Sequence, residues 1–168
     1  YPEATSKGLK IALVSSHGFA TGPVDRSNHA ECLEKLREAI DVAVQFGSKS
    51  VITFTGMRVK GMTDETAEEN CLDCWKQVID YAEQKQVTLC LEHLNSRDGS
   101  HPMKGHPGYF GDDVDRCFGL IRRVALECGT ECSDRNPGIR SMHSGLGECS
   151  QRRSLYGARI AAERCVNK

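Results

Sequence analysis

Two absences limit what this 168-residue chain can do. No apolar run approaches the roughly 18 residues of a membrane-spanning helix, and no secretory signal peptide is recognisable. Net charge is also nearly absent, because 22 basic residues stand against 23 acidic ones and give a net charge of −1. A chain without excess positive charge has no overall attraction to nucleic acid or to an anionic membrane. We therefore expect neither of these as a partner.

An initiating methionine is also missing. The chain opens on Tyr1 and Pro2, which indicates that it starts in the middle of a longer protein. Its length is sufficient for one domain with a hydrophobic core. A complete eight-stranded β/α barrel, however, typically takes about 250 residues.

Cysteine, in contrast, is abundant, with nine residues. An odd number without a secretory signal favours a reduced, cytoplasmic protein over a disulfide-stabilised one. The Cys71-x-x-Cys74 spacing resembles half of a zinc site or a redox pair. Both residues fall on the apolar stripe of a predicted helix, however, so the pattern favours a place in the core.

Strands and helices alternate along the first three quarters of the sequence. Strands are predicted at residues 9–15, 50–54 and 87–92, and helices at 28–46, 63–84 and from 112 onward. We expect Asn28, Thr63 and Asp112 to cap the three helices. Strands that alternate with helices this long form a parallel sheet with right-handed crossovers. The carboxyl ends of the strands then share one rim, where α/β folds build their sites.

The stretch from residue 87 to residue 110 organises the chain. Alternation places Val87, Leu89 and Leu91 on one face of its strand, and Thr88, Cys90 and Glu92 on the other. Glu92 stands at the carboxyl end, and a long loop with many polar and titratable groups follows it: Asn95, Arg97, Asp98, His101 and His106. A loop of this kind is either functional or merely solvated, and the pattern alone favours neither.

Three segments carry a family resemblance. LEHLNSRD at residues 91–98 with GHPGY at 105–109, SSHGFA at 15–20 and VITFTGMR at 51–58 resemble the hydroxypyruvate isomerase-like branch of the xylose isomerase-like TIM barrels. The resemblance covers about residues 1–124. It implies an α/β fold, namely a partial (β/α)8 TIM barrel that contains the third to fifth parallel strands of the barrel and their outer helices. An irregular C-terminal tail would follow. The domain would comprise residues 1–127 and the tail residues 128–168. The first two strands would precede Tyr1.

The resemblance also implies a reaction. Members of this branch move a proton between adjacent carbons of a small keto acid or sugar through an enediol, as in the conversion of hydroxypyruvate to tartronate semialdehyde. Two glutamates handle the proton, often with a divalent ion, Mg²⁺ or Mn²⁺. Glu92 matches the first glutamate, both as a catalytic group and as a metal ligand. The substrate-binding candidates are His17, Asn95, Arg97 and His106.

Each candidate also has a structural alternative. Arg97 is as well suited to an ion pair with Asp98 as to a substrate carboxylate. His17 is as plausible in a capping or structural role, and His106 in ordering its loop. Two other functions also remain open: a non-catalytic partial barrel, and an endonuclease IV-like DNA-repair enzyme. The repair enzyme would need a three-zinc site and a basic surface, and neither is visible in the sequence.

The last part of the chain changes character. Residues 125–168 are rich in turn formers and show no strand pattern, and the family's later strands with their Asp, His and Glu are not found. A shifted reading frame or a divergent terminus accounts for this composition better than a zinc cluster of Cys128, Cys132, His143 and Cys149 does. We therefore expect a partial site that is not competent alone, and self-association through open sheet edges.

Overall fold

The computed structural model describes Glu3, residues 6–101 and residues 104–127. The predicted tail at 128–168, including the cysteines and the histidine weighed above as a zinc cluster, lies outside these residues. The described part contains strands β1 (Val14–Ser15), β2 (Ser50–Thr53) and β3 (Thr88–Leu91) and helices α1 (His29–Gln45), α2 (Asp64–Gln84) and α3 (Val114–Glu127). Two short 3-10 helices, Arg26–Asn28 and Phe110–Asp112, precede α1 and α3.

The three strands form one parallel sheet in the order β1-β2-β3. This confirms the α/β class and the predicted alternation of strands and helices. β1 is shorter than predicted, because only Val14 and Ser15 pair with β2. The carbonyl of Ala12 instead accepts a hydrogen bond from the Ser48 hydroxyl (3.1 Å), so a side chain takes the place of a ladder bond there.

The predicted helix caps have mixed outcomes. Thr63 caps α2 as expected, since its hydroxyl accepts from the Thr66 amide (3.2 Å). Asn28 does not cap α1, because its amide side chain donates to Gly22 instead.

The third cap is displaced by one residue. Asp113, not Asp112, accepts from the Arg116 amide at the start of α3 (2.7 Å). Asp112 is held by contacts from other loops, with the Ser96 hydroxyl (2.6 Å) and the Arg58 guanidinium (3.1 Å). Such long-range partners are invisible to a local capping pattern.

The predicted alternation of β3 is confirmed. Leu89 and Leu91 are buried with Val51 of β2 in the core that the helices cover, while Thr88 and Cys90 on the opposite face are half-buried. The core also contains Cys71 and Cys74, as their helical periodicity predicts. Burial raises the pKa of the Cys74 thiol to about 12, so this group stays a neutral, unreactive thiol. No helix among the described residues has the length and apolar character to cross a membrane.

Candidate functional site at the carboxyl rim of the sheet

The loops that follow the three strands meet at one rim. The amide of Val24, after β1, donates to the carbonyl of Thr55, after β2 (3.0 Å). The amide of Phe110, after β3, donates to the carbonyl of Gly56 (2.9 Å). The middle loop is therefore fastened on both sides by main-chain hydrogen bonds. This arrangement follows from the parallel sheet, which places the carboxyl ends of all its strands at the same edge.

Ion pairs around Phe110 add to this fastening. The Arg58 guanidinium donates to Asp64 at the start of α2 (2.8 Å) and to Asp112 in the loop after β3 (3.1 Å). It also lies 5.1 Å from the centre of the Phe110 ring, and Arg116 lies 4.7 Å from the same centre. The loops after β2 and β3 are therefore joined by side chains as well as by the main chain.

Glu92 is the first residue beyond β3. Its amide donates to the Thr53 carbonyl (3.0 Å), which extends the strand geometry by one residue. Because side chains alternate along a strand, Glu92 belongs to the same face as Cys90, away from the helix-covered core. The side chain is half-buried. Its carboxylate thus stands at the rim of the sheet, beside the fastened loops.

His17 lies close to the rim, but inside the protein. Only 1% of its surface is exposed, and its Nε2 lies 3.1 Å from the Thr53 hydroxyl. Its Nδ1 lies 3.2 Å from the carbonyl of Gly18. Burial lowers the pKa of His17, which favours the neutral ring. These contacts fit the structural alternative, and a contact between His17 and substrate stays a prediction.

The three other substrate-binding candidates lie in the loop after β3, and two are exposed. Asn95 orders its own loop, accepting from the Arg97 amide (2.9 Å) and donating to the Lys104 carbonyl (3.0 Å). Arg97 is exposed and forms no ion pair with Asp98 among the described residues; the Asp98 carboxylate accepts from Ser100 instead. An open cleft of about 390 Å³ lies beside this segment, lined in part by Asn95, Arg97 and Asp112.

His106 is half-buried, and its ring packs edge-on against Phe19 of the loop after β1, with ring centres 4.3 Å apart. The loop after β3 thus reaches across the middle loop to the first one. The rim brings Glu92 and His106 into one set of fastened loops, while Arg97 and Asn95 lie on the solvent side of the same loop.

One central residue was missed by sequence reasoning. The Tyr109 side chain is fully buried, and its hydroxyl contacts both the Thr55 amide (3.0 Å) and the Glu92 carbonyl (2.8 Å). The available signal was an aromatic residue with a polar tip in an otherwise polar loop, since a buried tyrosine hydroxyl usually has a partner. The partners themselves, 54 and 17 residues away, leave no trace in the local pattern.

Comparison with known proteins gives the family. Residues 3–128 match the family described as xylose isomerase-like TIM barrel. The chain belongs to this family. No curated protein sequence matches it.

Three solved structures illustrate the shared fold of the xylose isomerase-like TIM barrels. The chain is similar to a family 2 AP endonuclease from Brucella melitensis, with 20% identity over 73% of this chain and 47% of the other and a TM-score of 0.52. It is similar to an L-ribulose 3-epimerase, with 16% identity over 73% of this chain and 40% of the other and a TM-score of 0.56. It is also similar to the IolI protein with a bound zinc atom, with 15% identity over 69% of this chain and 38% of the other and a TM-score of 0.53. The chain spans less than half the length of each of these proteins.

The metal centre that the family implies is not completed by the described residues. No group of three or more His, Cys, Asp or Glu side chains within them could hold an ion. Hard divalent cations take about six or more oxygen ligands, so Glu92 alone does not make an Mg²⁺ or Mn²⁺ site.

Proposed function

We propose that this chain carries part of the active site of a hydroxypyruvate isomerase-type enzyme. The substrate would be hydroxypyruvate, and the product tartronate semialdehyde, formed through an enediol. The proposal is carried by one observation: Glu92 stands at the carboxyl end of the last described strand, on the face away from the core, within a set of fastened loops. The carboxyl rim is the place where TIM barrels carry their chemistry.

The reaction needs a proton to leave one carbon and another to reach its neighbour. In the proposal, the Glu92 carboxylate takes the proton from C3 of hydroxypyruvate, and the electron pair of the C3–H bond forms the C3–C2 double bond. The π pair of the C2 carbonyl moves onto its oxygen, which takes a proton from water to give the enediol. A second acid then protonates C2, while the C3 hydroxyl gives up its proton to water and C3 becomes the aldehyde carbon. The described residues offer one candidate for the first step and none that we assign to the second.

Substrate binding follows from the charge of the keto acid. Arg97 is exposed and forms no ion pair with the neighbouring Asp98, so its guanidinium suits the substrate carboxylate. His106 and Asn95 belong to the same loop, and a main-chain hydrogen bond joins them, since the His106 amide donates to the Asn95 carbonyl. In the proposal these residues border the substrate, and His17 supports the rim from the inside. A divalent ion is given no step, because the described residues do not complete a site for it.

The test uses the half-reaction that a partial site performs. The purified 168-residue chain is incubated with hydroxypyruvate in D₂O, and loss of the C3 proton signal is followed by NMR. A general base contributes about 10²–10⁴-fold in a complete site, so we expect exchange at least about tenfold above the buffer rate. Glu92→Gln should remove this excess. Glu34→Gln, an exposed carboxylate on α1, is the matched control and should keep it.

The outcomes separate the alternative functions. Exchange equal in wild type and Glu92→Gln would contradict the proposal and favour a non-catalytic partial barrel. Incision of an oligonucleotide with an abasic site would favour a DNA-repair enzyme instead. Net formation of tartronate semialdehyde that disappears in Glu92→Gln would show that the chain holds a complete site.

Two further parts of the proposal concern the surroundings of the chain. A cytoplasmic location is proposed from the cysteine content of the sequence, an odd number of nine. Self-association is proposed because β1 and β3 each pair with only one neighbour among the described strands.

A further inference from the structure

The ladder between β2 and β3 stops one hydrogen bond short. Thr53 pairs with Leu91, and the Glu92 amide donates to the Thr53 carbonyl (3.0 Å). In a regular parallel ladder the next bond would join the Thr55 amide to the Glu92 carbonyl. That bond is replaced by two. The Thr55 amide donates to the Tyr109 hydroxyl (3.0 Å), and this hydroxyl donates to the Glu92 carbonyl (2.8 Å).

We propose that Tyr109 is a positioning residue for Glu92. Its hydroxyl is inserted between the ends of β2 and β3, holds them apart, and thereby sets the main chain from which the Glu92 side chain projects. The catalytic consequence rests on the proposed function of Glu92, whereas the positioning itself rests on the observed contacts.

Tyr109 is held firmly enough for this role. Its main chain forms an antiparallel bridge with Met57, in the loop after β2. A side chain at Gly111 would lie 2.8 Å from the Tyr109 ring and 3.0 Å from the Thr55 hydroxyl, so only glycine leaves room for the ring. The Gly111 amide also donates to the Thr55 hydroxyl (2.8 Å). The ring therefore has little freedom to leave its place between the strand ends.

A phenol suits the inserted position because one group must accept and donate at once. Burial raises the pKa of the Tyr109 hydroxyl well above its usual range, so the proton that reaches Glu92 is kept at any ordinary pH. Phenylalanine would leave the Thr55 amide and the Glu92 carbonyl without this partner. They could then bond to each other only at about 2.9 Å, which requires the strand ends to close and Glu92 to move.

The hydrogen bond from Tyr109 to Glu92 also joins the two ends of the loop after β3. The chain leaves the sheet at Glu92, and at Tyr109 it returns to donate to the Glu92 carbonyl. Asn95, Arg97 and His106 all lie between these two points. Tyr109 thus fixes the base of the loop that carries the proposed substrate-binding residues.

The first test is spectroscopic and compares Tyr109→Phe with Tyr81→Phe. Tyr81 is the matched control, because its hydroxyl donates to Asp41 (2.6 Å) on the helical side of the protein. The titration of the Glu92 carboxyl group is followed by ¹³C NMR, with Glu92→Gln to assign its signal. We expect the midpoint of the Glu92 titration to differ between the wild type and Tyr109→Phe, because the carboxylate moves, and to be the same in Tyr81→Phe. An unchanged midpoint in Tyr109→Phe would overturn the proposal.

A measurement on the wild-type chain keeps the proposal testable if Tyr109→Phe does not fold. NMR couplings transmitted through hydrogen bonds should connect the Glu92 nitrogen with the Thr53 carbonyl carbon. They should be absent between the Thr55 nitrogen and the Glu92 carbonyl carbon, because the phenol lies between them. A coupling for the second pair would show a direct bond and overturn the inserted position.

The hydroxypyruvate exchange assay then separates this inference from the proposed function. If Glu92 is the base, Tyr109→Phe should lower the exchange rate severalfold, whereas Tyr81→Phe should not. An unchanged exchange rate in a folded Tyr109→Phe variant would count against positioning. If the wild-type chain shows no exchange, the proposed function fails, and the Glu92 titration alone decides the role of Tyr109.

Discussion

The buried hydroxyl of Thr53 offers a sharp test of the core. It accepts a hydrogen bond from the indole nitrogen of Trp75 (3.1 Å) and lies 3.1 Å from Nε2 of His17. Because the carbonyl of Gly18 can only accept, the Nδ1 of His17 carries the proton. Nε2 of the neutral ring then accepts from Thr53. One hydroxyl thus serves two side chains that are 0% and 1% exposed.

Thr53→Val removes this hydroxyl and nearly keeps the shape. The Trp75 N–H and the His17 Nε2 would both lose their partner in the core, and each unsatisfied buried group costs about 1–3 kcal/mol. We therefore expect the free energy of unfolding to fall by about 2–6 kcal/mol, a large share of the total stability of a small domain. Thr53→Ser keeps the hydroxyl and removes one methyl group, so it should cost only about 1 kcal/mol.

The decisive result is which of the two variants, Thr53→Val or Thr53→Ser, is the more stable. Urea unfolding at pH 7.5, followed by tryptophan fluorescence and circular dichroism, gives both free energies, provided that the two signals coincide and the dependence on urea is unchanged. Valine is the more apolar residue, so apolar burial alone would rank it above serine. A Thr53→Val variant as stable as Thr53→Ser, or more stable, would refute the hydrogen-bond chain from Trp75 to His17.

Two further predictions follow from the same rim. Burial lowers the pKa of His17 from its usual 6.5, against the smaller opposing effects of main-chain hydrogen bonds with Gly18 and Thr21 and of the Glu31 charge. Below about pH 6.5 the unfolded chain therefore binds more protons than the folded one. The free energy of unfolding should therefore be fully retained above that pH and fall as the pH drops towards the pKa of His17 in the folded chain. Between pH 7 and 5 the His17→Gln variant should lose less unfolding free energy than the wild type. An equal loss in both proteins would contradict the burial of His17. Gly22→Ala would place a Cβ 2.3 Å from the Gly56 amide nitrogen, and overpacking of this kind costs about 1–3 kcal/mol or more. Gly18→Ala, which meets nothing within 4 Å, is the control, and equal thermal stability of the two variants would contradict the close approach.

The order of the elements, the parallel sheet and the facing of β3 could be predicted from the amino-acid sequence. These features depend on near neighbours along the chain: the alternation around Leu89 and Leu91, the helical stripe that contains Cys71 and Cys74, and the cap at Thr63. The period of a strand or a helix is set by its own backbone geometry. The buried face of a strand or helix can therefore be predicted before the fold is known. The resemblance of short segments named the family in the same way, from local strings of residues.

The contacts that build the rim, in contrast, form only in the folded chain. His17 lies in the core because Thr53 and Trp75, 36 and 58 residues further along the chain, meet it there through one shared hydroxyl. Asp113 caps α3 in place of the predicted Asp112, because Asp112 is bound by Arg58 and Ser96. Tyr109 became the link between the strand ends because a parallel ladder left one carbonyl and one amide for its hydroxyl to join. A hydrogen bond depends on distance and angle in space, not on separation along the chain, so partners this far apart are chosen only when the chain has folded.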